Sequence, residues 1–187
     1  MFRMPLYEIH KKHSHSIGTR KTKEIPLLDL HELGAGKLSA LFGRHASRDL
    51  FDAHQLFTKC SLDIEQLRLA CLVYGAMGTK DWRQISSDEI HFEESELKDQ
   101  LIPVLRKRSF RNGDWLGWTN QLLMECKTAL KILFPLRERE QAFLQSLFEN
   151  GAIDATLATD DRKLIEKINS HPLLRWKAKL ILENRQK

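Results

Sequence analysis

The sequence predicts a mainly α protein, with a remnant of an α+β arrangement at the front and a helical bundle behind it. Three observations carry that expectation. Apolar residues recur at helical spacing from Pro26 nearly to the end, capping residues mark the helix ends, and only Met4 to Ile9 alternates in the manner of a strand.

Taken in order, Met4-Pro5-Leu6-Tyr7-Glu8-Ile9 reads as a short strand, followed by a polar, basic stretch from His10 to Lys23. A single strand cannot form a stable sheet. The segment is therefore expected either to lie as an irregular arm or to belong to a sheet that begins before Met1. Asp29 can cap a helix whose third residue is Glu32 and which runs through Leu30, Leu33, Leu38 and Leu41 to Gly43. A second helix starts at or just after Ser47, carries Leu50, Ala53, Leu56 and Phe57, and ends near Cys60. Further helices are expected over Ile64 to Tyr74, Glu93 to Leu105, Trp115 to Phe134, Arg137 to Asn150, Asp161 to Ile168 and Leu173 to Leu182. Gly75 with Gly78, Pro135, Gly151 and the His171-Pro172 turn supply the breaks. Residues 1–60 form the front portion in this reading and residues 61–187 the bundle.

Composition narrows the function classes. A chain of 187 residues, 42% hydrophobic and 29% charged, matches ordinary globular proteins. No run approaches the roughly 20 apolar residues of a membrane-spanning helix, and no signal-peptide pattern opens the chain, so a cytoplasmic protein without a membrane partner is expected. Cys60, Cys71 and Cys126 are odd in number, widely spaced and set in apolar stretches, which favours reduced thiols over disulfides or a zinc cluster. The net charge of +5 suits a polyanionic partner without requiring one.

The segment from Leu28 to Phe57 carries the chemistry. On a helical wheel Lys37 falls within the face defined by Leu30, Leu33, Leu38 and Leu41. Its amine either snorkels past Gly34, Gly36 and Ala40 to water or serves a ligand. On the second helix Asp49 falls on the side of Ala53, Leu56 and Cys60, Asp52 sits at its margin and Arg48 points away. A carboxylate on an apolar face needs a partner, and Lys37 on the facing helix is the expected one. Two readings stay open: a structural Lys37–Asp49 ion pair, or a phosphate-binding lysine beside an acid that positions or activates a nucleophile.

The string His31-Glu32-Leu33-Gly34-Ala35-Gly36-Lys37-Leu38-Ser39-Ala40-Leu41, then Arg44, then Arg48-Asp49-Leu50-Phe51-Asp52, resembles the paired motifs of the AbiEii/AbiGii nucleotidyltransferase toxins. In that family a Glu-Leu-x-Ala-x-Lys-Leu-x-Ala-Leu helix precedes Arg-Asp-x-x-Asp, and both line the nucleotide site. A looser likeness extends from Arg3-Met4-Pro5-Leu6 to Pro172-Leu173-Leu174 and Trp176-Lys177. The resemblance implies that Lys37 contacts nucleotide phosphates, that Asp49 is the acid of the final motif with Asp52 as a second member, and that Arg44 and Arg48 contact phosphate or substrate. It also implies an NTP substrate, Mg²⁺, an RNA or protein acceptor and a cognate antitoxin in a toxin-antitoxin or abortive-infection pair.

The family's metal-binding Asp-x-Asp, which follows a Gly-Ser or Gly-Gly-Thr element, occurs nowhere in this sequence, so no metal ligand is assigned. Asp160-Asp161 is adjacent rather than alternating, and Glu138 with Glu140 belongs to a charged run. The expectation is therefore a chain truncated at its front and incomplete as a catalyst. The rival expectation is a noncatalytic helical module that binds RNA or protein, with Lys37 and Asp49 as a structural pair.

Other candidates are weaker. His10, His13 and His15 read as an exposed loop rather than a metal site. Trp82, Trp115, Trp118 and Trp176 could stack bases, although Trp115 and Trp118, at helical spacing before an apolar face, read first as core. The run Arg106-Lys107-Arg108 with Arg111 suits an RNA backbone or a solvated turn equally.

Overall fold

The computed structural model describes residues 4–16, 18–105 and 114–185. It is mainly α, as expected, with one two-stranded sheet among the described residues. Strands β1 (His10–Lys12) and β2 (Ile25–Leu27) pair antiparallel, His10 opposite Leu27 and Lys12 opposite Ile25. The sheet thus lies in and beyond the basic stretch. Met4 to Ile9 is not a strand but an irregular arm, the other of the two outcomes considered. Leu6 is its anchor, buried in the core, while its amide and that of Tyr7 donate to the two oxygens of Glu32 at 2.7 and 2.9 Å.

Helix α1 (Leu30–Arg44) starts where Asp29 accepts from the His31 amide and ends at His45, which takes the left-handed conformation with φ 53°. That sharp exit returns the chain as α2 (Ser47–Lys59), antiparallel to α1. Helix α3 (Ile64–Met77) is the centre of the molecule: residues 67 to 76 are all buried. It packs on α1, and α1 packs on α2. The outer face of α2 is covered by α5 (Trp115–Leu130). On the far side of α3 lie α6 (Glu138–Asn150) and α8 (Pro172–Arg185), with α7 (Arg162–Ser170) beside α8. One continuous apolar core runs from Leu38 and Phe42 through Leu72 to Phe143 and Leu174.

The expected helix from Glu93 to Leu105 is broken. One α turn, α4 (Glu94–Glu96), leads into a π-helical stretch (Leu97–Leu101) and then a 3₁₀ turn (Ile102–Val104). Leu97 and Leu101 are buried as the four-residue register predicts, so the apolar spacing survives although the winding does not. Helix α3 runs past Gly75, because that glycine marks an approach rather than an end. A Cβ there would stand 2.2 Å from the Trp82 ring. The basic run at Arg106–Arg108 and Arg111 lies outside the described residues.

Candidate functional site

Helices α1 and α2 form a hairpin joined by only His45 and Ala46, and antiparallel packing fixes which side chains meet. The Arg44 guanidinium at the end of α1 grips both oxygens of Asp49 in the first turn of α2, at 2.5 and 2.8 Å. Two turns back along α1, the Lys37 ammonium donates to Asp52 at 2.6 Å. The expected Lys37–Asp49 pair is therefore not formed. The helical wheel turned Lys37 and Asp49 toward the facing helices, but the tight turn places Asp49 opposite the end of α1, and Lys37 meets the acid three residues further on.

Burial separates the two pairs. The Asp49 side chain is 3% exposed while Arg44 is 67% exposed; Lys37 and Asp52 are 36% and 41% exposed. The Asp49 hydrogen bonds and charge raise the pKa of Arg44 further. Asp49 also lies in the first turn of α2, where the helix dipole favours an anion.

A cavity of about 400 Å³ opens along this face, lined by Leu28, Leu33, Lys37, Arg44, Asp49 and Tyr74 among others. Leu30 and Leu33 are 41% and 37% exposed, so the side of α1 expected to be core is in part the wall of this groove. Leu38 and Leu41 of the expected face are buried, and Glu32, Ala35 and Phe42 complete the buried side of α1. Lys37 consequently has open space in front of it and does not need to snorkel from a closed core.

Arg48 is not part of the cluster. Its guanidinium donates to the Gln100 carbonyl at 3.1 and 3.3 Å, away from Lys37 and Arg44. Glu32, read from sequence as a capping residue, is a fully buried carboxylate that accepts from Leu6, Tyr7 and the Tyr74 hydroxyl, and it also forms part of the groove wall. The sequence signal was its place on the same side of the helix as Ala35 and Phe42. Burial raises the pKa of the Tyr7 hydroxyl, with help from Asp29 and Glu32.

The remaining candidates separate cleanly. Trp82 is fully buried, Trp115 and Trp118 are half-buried, and Trp176 is 55% exposed. Burial pushes the Cys126 thiol up to about 12 and raises that of Cys71 as well, and all three cysteines are free. The His10 ring lies 3.7 Å from Asp29. Among the described residues no three His, Cys, Asp or Glu side chains are grouped to hold a metal ion, and no helix is long and apolar enough to cross a membrane.

A family model described as nucleotidyl transferase AbiEii toxin, type IV toxin-antitoxin system, matches residues 1–181. The chain belongs to the AbiEii family. The match takes in both helices of the hairpin and the bundle behind them. No curated protein and no solved structure matches the chain. Family membership implies nucleotidyl transfer with an NTP and a divalent metal, and an antitoxin as cognate partner. The described residues do not fit such a metal ion: both oxygens of Asp49 are committed to Arg44, and Asp52 is held by Lys37.

Proposed function

We propose that the α1–α2 groove binds the phosphates of an NTP, as one wall of a site that transfers a nucleotide to RNA or protein in the cytoplasm. In this reading residues 1–60 carry the nucleotide-binding elements and residues 61–187 support them. The observation that carries the reading is the pairing of each groove cation with an internal carboxylate, Lys37 with Asp52 and Arg44 with Asp49, beside open space.

An exposed ion pair is worth little, about 0–1 kcal/mol, so Lys37 can exchange Asp52 for a phosphate oxygen at small cost. Asp52 then stands free beside the bound phosphates, where it can orient an acceptor group. Arg44 keeps Asp49 paired through one edge of its guanidinium and has further N–H donors for the ligand. Because the residues here do not fit a divalent ion, these steps are limited to phosphate binding and orientation.

A second reading, a noncatalytic module that binds RNA or protein, is favoured by the Arg44–Asp49 pair, in which the buried carboxylate is satisfied at both oxygens without any ligand. Label from α-labelled NTPs, offered with Mg²⁺ and total RNA or protein, tests the first reading, with titration of ATP by calorimetry beside it. Transfer and ATP binding that Lys37→Ala abolishes, without loss of thermal stability, are the expected results. ATP binding unchanged in Lys37→Ala would overturn the assignment of the groove.

A further inference from the structure

The turn between α1 and α2 holds two buried polar atoms without a hydrogen-bond partner, Nδ1 of His45 and Oγ of Ser47. Buried polar groups are paired in the great majority of cases, so two orphans two residues apart call for an explanation. Their chemistry can be worked out. His45 Nε2 lies 3.2 Å from the Lys80 ammonium, which can only donate, so the ring is neutral and carries its proton on Nδ1. Burial and the Lys80 charge both hold His45 below its ordinary pKa, in keeping with that assignment. Nδ1–H is thus a donor lacking an acceptor, and the Ser47 hydroxyl supplies a second donor.

Both orphans flank the start of α2. Ser47 is its first residue and is wholly buried, and the N-cap residue, Ala46, has no side chain to close the helix end. A carboxylate from a distant segment closes it instead: Glu96 accepts from the Ser47 amide at 2.7 Å. The Ser47 hydroxyl lies within about 3 Å of its own amide by covalent geometry, yet Glu96 leaves it unbonded. Charges around the turn are balanced with Glu96 in place. Arg44 is matched by Asp49, and Lys80 lies 3.7 Å from Glu89. Arg48 rests on a neutral carbonyl.

The turn and the first helix residue therefore hold two donors that the Glu96 carboxylate leaves unsatisfied, beside the positive pole of a thirteen-residue helix. A phosphate group, with three acceptor oxygens, matches that donor set better than a carboxylate does. Glu96 is also placed to move. It leads directly into the π-helical stretch Leu97–Leu101, and π windings are rare and recur at functional sites. Rewinding that stretch to α shifts its register by one residue, a rotation of roughly 100° for the side chains before it.

We propose that the N-terminus of α2 is a phosphate-binding site, with the Ser47 amide, the Ser47 hydroxyl and His45 Nδ1 as donors, and that the Glu96 carboxylate occupies it as an internal substitute that a ligand phosphate displaces. The site adjoins the Lys37–Arg44 groove but does not rest on nucleotide transfer there.

The test is calorimetric titration of the full chain with inorganic phosphate. Glu96→Ala is expected to raise its affinity by about tenfold, the equivalent of one charge-assisted hydrogen bond. Adding Ser47→Ala should remove the gain while leaving ATP binding in the groove intact. Equal phosphate affinity in the parent and Glu96→Ala, or a gain insensitive to Ser47→Ala, would overturn the proposal. If Glu96→Ala does not fold by circular dichroism, Glu96→Ser, whose side chain is too short to reach the Ser47 amide, takes its place. Repeating the titration with ATP and with a 5′-phosphorylated oligoribonucleotide then separates a nucleotide from an RNA end: whichever gains on opening the site is the source of the phosphate.

Discussion

The Asp49 carboxylate, almost fully buried, is held at both oxygens by Arg44, a side chain that stands two-thirds in solvent. Removing the exposed partner therefore harms the buried one. Arg44→Met is expected to leave Asp49 unpaired and to lower stability by about 1–3 kcal/mol, the usual cost of an unsatisfied buried group. Lys37→Met, whose partner Asp52 is exposed, should change stability by less than about 1 kcal/mol. Urea denaturation of the two variants compares them, and equal losses would refute the division of roles.

The Arg68–Glu140 pair joins α3 to the start of α6 and is buried on both sides, at 2.9 and 2.5 Å. Arg68 also donates to the Ile132 carbonyl at 2.7 Å. Glu140→Ala is expected to cost about 3–5 kcal/mol, because it leaves a guanidinium uncompensated in the core. Replacing both partners with Met and Leu should recover much of that loss in the same melt; no recovery would show that the pair contributes more than its own charge balance.

Gly75→Ala places a methyl group into the Trp82 ring, and neither α3 nor the buried indole has room to retreat. Overpacking of this kind costs about 1–3 kcal/mol. Gly43→Ala, with nothing within 4 Å of the added Cβ, serves as the control and should be neutral or mildly stabilising. Tryptophan fluorescence during unfolding reports directly on the Trp82 environment.

Asp81 caps the turn that seats Trp82 and pairs with Arg83, whose hydrogen bonds hold its carboxyl below the usual carboxylate range against the opposing effect of burial. A carboxylate with a depressed pKa in the folded state adds stability above its unfolded value and loses it as pH falls through the folded value. Stability should therefore decline on the acid side of the ordinary aspartate range. Asp81→Asn should be weaker at neutral pH and show a flatter acid limb, and an unchanged slope would remove Asp81 as a cause.

Much of this architecture was legible in the residues. Asp29, Asp161 and Gly151 act as the helix caps their types suggest, and α1, α2, α6, α7 and α8 begin and end within about three residues of the expected positions. What failed was tertiary. Alternation in Met4 to Ile9 came from a single buried residue, Leu6, whose backbone is matched by Glu32 rather than by a strand. Of the true strands, β1 hides among lysines and a histidine and β2 is only Ile25-Pro26-Leu27, and both are largely exposed, so neither shows an alternating pattern. For the candidate site, the wheel identified Lys37, Asp49 and Asp52 but not their pairing, which depends on the geometry of the His45 turn. Leucines at Leu30 and Leu33 looked like core because periodicity cannot distinguish a packed face from the wall of a groove.

The arm around Leu6 has a further consequence for how the chain is made. Its carbonyls at Met4 and Leu6 are bonded by His171 and Lys167, at 3.1 and 2.9 Å, across more than 160 positions of sequence. Contacts of such separation form late, since every intervening residue must first be emplaced. During synthesis, residues 4–7 can find Glu32 early but must wait for α7 and α8 to leave the ribosome before they are fastened from both sides. The fold is thus clasped shut by the last two of its described helices, and a product that stalls before them would leave that clasp open to proteolysis.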